Sequence, residues 1–493
     1  MGRRRSRIRA ALRHALLGFT ALVLVTLLAG CGGSSLDAGY AVPANASVEG
    51  RHTQTRTTTG DPVPGTPGQP VAPVPATAGG TLTETPSGSG IGATPDADGG
   101  ANAGGGHTSA SGGHRGDCDG FRNGTGISDS AVTIATIADV SGPVPGIFTS
   151  AHQAVKAYAA YFNATSNLCG RRLEVLPLDS RTDAVAEQSG YLKACDQAFA
   201  AVGSMSAFDS GGAATAQECG LPDLRAMAVS DPRNACRTCF GAQATDLHAF
   251  QNAIPDFFVK NYPEASKHAA MVYVNAAASV LNAKTQQAVE ERRGMKFVYT
   301  AGFDVAEFNY GPYVQQLKQH GVRWVQFVGS ADQAVKLARA MQQASYEPDV
   351  FLLDPTAYDP QFTQAGDAVE GAFVFVDFTP FEEAARSSEL RLYLQWLHQV
   401  APSAAPSYFG LFAWSAARLF VEQAAELGGD LSRARLVAGL RRVHAWTGNG
   451  LHAPQDVGGK VNSSCWRFLR LRDGHWVPAG GMSYLCRGST KIG

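Results

Sequence analysis

From Cys118 to Arg487 short apolar runs alternate with amphipathic stretches, and this rhythm restricts the chain to an α/β architecture. Val132 to Ala138 reads as a buried strand. A loop from Asp139 to Gly146 follows, then a helix with Val155, Tyr158, Ala159 and Phe162 on one face. The unit repeats through strand Arg172 to Leu178, helix Ala184 to Ala198, strand Phe199 to Gly203, a helix near Gly212 to Cys219 and strand Arg225 to Val229. A parallel sheet with flanking helices follows from such repetition.

After Gly241 a second series starts: helix Asp246 to Asn261, strand Ala270 to Val274, helix Val280 to Arg292, strand Lys296 to Thr300, helix Pro312 to His320 and strand Arg323 to Val328. Ser330 caps the next helix, with Gln333 at the capping-box position. Strands Val350 to Leu353 and Ala372 to Val376, helices Leu390 to Val400 and Phe409 to Leu427, and a hairpin-like end over Cys465 to Pro478 complete the pattern. About 370 residues are too many for one core and suit two lobes.

The N-terminal part is of another kind. Arg3, Arg4, Arg5, Arg7, Arg9 and Arg13 precede a 16-residue weakly polar to apolar run, Ala15 to Gly30, which ends in Leu28-Ala29-Gly30-Cys31. The run is shorter than the ~20 residues of a spanning helix, so residues 1–30 are expected to be a lipoprotein signal peptide and Cys31 an acylated first residue. From Gly32 to about Asp117 the chain is Gly, Pro, Thr, Ser and Ala with few large apolar residues, and it is expected to be a disordered tether with a reach of roughly 50 Å. Removal of the leader leaves 35 basic against 42 acidic residues, a balance that argues against nucleic acid as a partner.

Eight cysteines remain, an even number for an oxidising compartment, and they admit 105 pairings. Cys236-Arg237-Thr238-Cys239 lacks a second ligand pair for zinc, so a local disulfide is expected. Proximity in the inferred lobes suggests Cys118 with Cys169, Cys195 with Cys219 and Cys465 with Cys486. Enzyme signatures are missing: there is no G-x-S-x-G elbow and no H-E-x-x-H, and Val461 follows Gly459-Lys460 where a P-loop needs a hydroxyl. No metal, cofactor or catalytic residue is expected.

In open α/β sheets ligands sit beyond the carboxyl ends of the strands. The loops there are small and polar, Ser204-Met205-Ser206-Ala207-Phe208-Asp209-Ser210-Gly211 and Ser230-Asp231-Pro232-Arg233. Hydroxyls and exposed amides in such loops donate well to a small anionic group, although any one serine there can equally be an ordinary helix cap.

Val132 to Gly142, Cys169 to Val175 with its Gly170-Arg171, Leu178-Asp179-Ser180, Ala201 to Ser204, Gly220-Leu221-Pro222 and Tyr408 to Ala417 resemble, in order and spacing, the type I periplasmic binding proteins of the leucine/isoleucine/valine-binding class. The resemblance covers roughly Val132 to Pro478. It implies two doubly wound parallel-sheet lobes joined by a hinge, a Venus-flytrap fold, with residues 118–241 and 354–445 in lobe 1, 242–353 and 446–487 in lobe 2, and 488–493 as a tail. With the anchor expected at Cys31, it implies a monomeric, lipid-anchored, extracytoplasmic solute-binding protein that passes a branched-chain amino acid, another amino acid or a related amide to an ABC importer permease; the alternatives are a receptor of the same fold that signals to a membrane sensor and, ranked below it, a secreted enzyme. The ligand-binding residues it implies are Ser204, Ser206, Ala207, Phe208, Asp209, Ser230 and Asp231 in lobe 1, with Phe148 as a cover. In lobe 2 they are Asn275, Phe303, Asp304, Gly329 and Ser330, with Asp354 and Tyr358 near a crossing. Two departures stand out. Asp231 would repel a carboxylate unless Arg233 neutralises it, and Asn275-Ala276-Ala277-Ala278-Ser279 lacks the family's Asp and Tyr-Gly.

Overall fold

The computed structural model describes residues 116–492. The expected signal peptide, Cys31 and the expected tether up to residue 115 lie outside the described residues. Among the described residues no helix is long and apolar enough to cross a membrane.

The first lobe is built on β1 (Ala131–Ala138), β2 (Arg172–Asp179), β3 (Ala200–Val202), β4 (Asp223–Arg225) and β5 (Cys239–Gly241). They form a parallel sheet of order β2-β1-β3-β4-β5. β1 lies inside that sheet with helices on both faces, so it is apolar almost throughout. Helix Thr149–Thr165 packs beside helix Tyr408–Leu427, where Tyr158 meets Trp414 edge-on at 4.9 Å between ring centroids.

The chain then forms β6 (Ala249–Gln251) and the strands β7 (Ala269–Val274), β8 (Phe297–Phe303), β9 (Trp324–Val328), β10 (Val350–Leu353), β11 (Phe373–Val376), β12 (Cys465–Arg472) and β13 (His475–Ala479). The last seven give a sheet of order β13-β12-β11-β10-β9-β7-β8, parallel from β7 to β11 and antiparallel from β12 on. β14 (Leu485–Cys486) pairs with β12, and β15 (Ser489–Lys491) pairs with β6.

Three expectations are corrected here. β11 belongs to the second sheet, hydrogen-bonded between β10 and β12, so the chain returns to the first lobe after Val376 and not at Asp354. The expected helix from Asp246 begins only at Ala253, because Ala249–Gln251 takes the C-terminal residues as a strand partner. Residues 489–491 are therefore an ordered part of the body. The four disulfides, Cys118–Cys169, Cys195–Cys219, Cys236–Cys239 and Cys465–Cys486, are those expected.

Three chain segments pass between the lobes, and one side chain from each meets in the interior. Gln243 Nε2 donates to both carboxylate oxygens of Asp377 at 3.1 Å, and Gln455 Nε2 donates to Asp377 Oδ2 at 2.8 Å. Tyr408 OH donates to Gln243 Oε1, and the backbone amide of Ala244 donates to Gln455 Oε1 at 3.2 Å. Burial pushes the Asp377 carboxyl up to about 6 even with both amides bonded to it.

Candidate functional site

The loops at the carboxyl ends of β1, β3 and β4 are drawn together by two buried aspartates. β1 ends at Ala138, and Asp139 follows with no exposed surface. Its carboxylate receives Ser180 Oγ at 2.5 Å, Ala207 N at 2.8 Å, Thr182 N at 3.0 Å and Ser206 Oγ at 3.1 Å. After β3 the chain turns at Gly203, whose φ of +66° suits glycine, and a Cβ there would lie 2.3 Å from Val155 Cγ2. The turn brings Ser204 Oγ back to accept the Ile137 amide at 3.1 Å.

Asp209, also fully buried, ties this loop to the next. It accepts Val229 N at 2.9 Å and the Ser230 hydroxyl, and Arg225 Nε lies 3.9 Å away. Beneath it Arg233 bonds Asp223 at 2.8 Å and Glu187 at 3.2 Å, and its Nε donates to the Asp209 carbonyl at 2.9 Å. Arg225 also bonds Glu187 at 3.2 Å, and Tyr191 OH donates to Asp223 at 2.9 Å. Every one of these ionic side chains is buried, two guanidiniums against three carboxylates, and burial pushes the Glu187 carboxyl up to about 7 even with both arginines beside it.

Arg233 is thus turned inward and does not neutralise Asp231. Asp231 instead points to solvent and meets His248 Nε2 at 2.9 Å. Phe148 is buried with its ring edge-on to Phe409 at 4.7 Å, whereas Phe208 stands 41% exposed on the lip of its loop.

On the second lobe β7, β9 and β10 lie side by side and end in Asn275, Gly329 and Asp354. The side chain of Asn275 lies over Gly302, where a Cβ would come within 2.1 Å of Oδ1. Asp354 caps the turn Pro355–Ala357 and accepts Thr356 N at 3.0 Å, while Thr356 Oγ1 donates to Gly329 O at 2.7 Å. Burial pushes the Asp354 carboxyl up to about 6. That turn packs on helix Tyr408–Leu427 of the first lobe.

Other expected residues stand elsewhere. Phe303 is core, its ring edge-on to Tyr313 at 4.3 Å and Tyr310 at 4.9 Å. Tyr358 is buried, stacks on Trp476 at 5.9 Å, donates to Glu382 and accepts Phe381 N at 2.9 Å. Ser330 is the N-cap of helix Ala331–Gln343 in a complete capping box. Exposed Asp304 closes its own turn by accepting Ala306 N at 2.8 Å.

Sequence reasoning missed Asp139, Gln243, Asp377 and Gln455. An acid at the end of the otherwise apolar β1 was a usable signal for the first, whereas the crossing residues share no local pattern. Among the described residues no group of three His, Cys, Asp or Glu side chains is placed to hold a metal ion.

The profile of a family described as periplasmic binding protein matches residues 131–475. Comparison with curated protein sequences returns no match. Among solved structures, a leucine binding protein LivK from Thermotoga maritima is 15% identical with a TM-score of 0.61, covering 71% of this chain and 98% of that one. A fatty acid ABC transporter substrate-binding protein from Thermomonospora curvata is 16% identical with a TM-score of 0.63, covering 76% and 96%. A solute-binding protein from R. palustris in complex with benzoate is 14% identical with a TM-score of 0.61, covering 74% and 98%.

Proposed function

We infer the function from the premise that this chain belongs to the periplasmic binding protein family, an extracytoplasmic family: it captures a small molecule between its lobes and delivers it to an ABC importer in the membrane. The observation that carries this reading is a pair of sheets with polar loops at the carboxyl ends of β1, β3 and β4 and of β7, β9 and β10, on lobes joined through Gln243, Asp377 and Gln455. Closure about these crossings exchanges solvent in the cleft for ligand contacts from both sides. Acylation at Cys31 and the tether keep the collector close to its permease. In this reading Ala207, Phe208 and Ser230 face the cleft on one side, held in place by the fully buried Ser204, Ser206 and Asp209, with Asn275, Gly329 and Asp354 on the other.

Solved relatives of the same fold hold isoleucine, benzoate or 4-hydroxybenzoate. Amino acids, amides and aromatic acids are accordingly the compounds to screen first. A thermal-shift screen of ligand-free protein tests the reading. A ligand at 100 times its Kd is expected to add about 2.7 kcal/mol of stability. Silence toward amino acids, amides, aromatic acids, short peptides, polyamines and sugars, in folded protein, contradicts it.

A further inference from the structure

Four of the loop donors that could complement a carboxylate are already spent on carboxylates of the chain itself. Ser206 Oγ and Ala207 N go to Asp139, and Val229 N and Ser230 Oγ go to Asp209. Phe208 N is taken by Ser206 Oγ at 3.1 Å. Both arginines beneath the loops, Arg225 and Arg233, are fully buried and bonded to Glu187 and Asp223. An incoming anion therefore finds these donors occupied and no accessible cation in this cluster, while Asp354 lies on the second lobe.

Engagement also inverts the polarity of the serines. A hydroxyl has one proton and two lone pairs, so one that donates inward to an aspartate offers only its oxygen outward. Ser230 is the partly exposed member of the set, and its proton points to Asp209.

We propose that Asp209 fills a carboxylate receptor of its own lobe, and that the cleft therefore takes a ligand whose head group is a hydrogen-bond donor, an amine or primary amide, and not a carboxylate. This deepens the importer reading and rests on it for the cleft, but the occupied receptor stands on the hydrogen bonds alone.

Two arms test the proposal. The first uses matched probes on the wild-type protein, leucine against leucinamide and benzoate against benzylamine, with Kd read by calorimetry. The amide or amine is expected to bind at least tenfold more tightly than its acid; an acid that binds as tightly as its twin, or more so, overturns the proposal. The second arm removes the internal carboxylate with Asp209→Gly and returns it as sodium acetate. Acetate is expected to raise the Tm of the variant, or its yield of folded protein if it refolds poorly, and to leave the wild type unchanged relative to chloride at equal ionic strength. Failure of acetate to rescue the variant, or equal stabilisation of the wild type, overturns the proposal. Rescue combined with silence of the wild type toward both pairs upholds the filled receptor and counts against the importer reading instead.

Discussion

Gln455 Nε2 donates to Asp377 Oδ2 at 2.8 Å, and through this bond the last crossing of the chain between the lobes is tied to the one before it. With Gln243 on the same carboxylate, the hinge has a polar centre in an otherwise apolar setting. The backbone follows the same course, since Ala453 N donates to Asp377 O at 2.7 Å.

Replacing Asp377 with alanine strands two buried amide donors. Each unsatisfied buried donor costs about 1–3 kcal/mol, and some of that is recovered by local rearrangement. A loss of about 2 kcal/mol in urea denaturation at neutral pH is expected, and a loss below about 0.5 kcal/mol contradicts the role assigned to this centre.

Glu290 is the group expected to dominate the pH dependence of the second lobe. It is fully buried, its bonded neighbour is Gln326 at 2.9 Å, and burial pushes its carboxyl up to about 8. Its native form binds a proton that the unfolded form releases near 4.3. The stability it confers is thus fully present below pH 4 and is lost as pH rises toward 8. Glu290→Gln keeps the acceptor for Gln326 and is expected to stabilise the protein by roughly 2–3 kcal/mol at pH 7 and hardly at all at pH 4. Denaturation curves at the two pH values check this; an equal effect at both contradicts it.

The disulfides are expected to differ in worth by the loops they close. Cys118–Cys169 spans 51 residues of sequence and Cys236–Cys239 spans 3. Loop-closure entropy gives about 4 kcal/mol for the first and under about 2 kcal/mol for the second. Paired serine substitutions, compared by Tm, test the order, and a larger loss at Cys236 and Cys239 reverses it.

Gly203→Ala is expected to disrupt the first-lobe loops from a distance. The added Cβ meets Val155 and Ala413 at a left-handed backbone position, so a loss of more than about 1 kcal/mol is expected, with weakened ligand binding. Unchanged stability means that the turn does not hold Ser204 as described.

The βα rhythm was readable because buried parallel strands and amphipathic helices each leave a local signature, as in Val132 to Ala138 and in the Ser330 capping box. The disulfides were readable because three of the four close 24 residues or fewer. Long-range pairing left no such trace: β6 takes its partner from residues 489–491, and β11 is placed in its sheet by β10 and β12. Within the candidate site the loops were identifiable by position, but side-chain direction was not. Arg233 turns inward and Asp231 outward although they are two residues apart, because Glu187 and Asp223 lie on other elements. Phe303 and Tyr358 stand at an element end where sequence position alone does not tell core from cleft, and both side chains turn into aromatic clusters, Phe303 with Tyr310 and Tyr313 and Tyr358 with Phe378 and Trp476.

In the function proposed here a small molecule is held between the two sets of loops. A crystal structure of the protein grown with the strongest hit of the thermal-shift screen decides whether it is. Ligand density is expected within hydrogen-bonding distance of Ser230 on one lobe and of Asp354 on the other. Density at any other place, or a bound compound that touches one lobe alone, contradicts it.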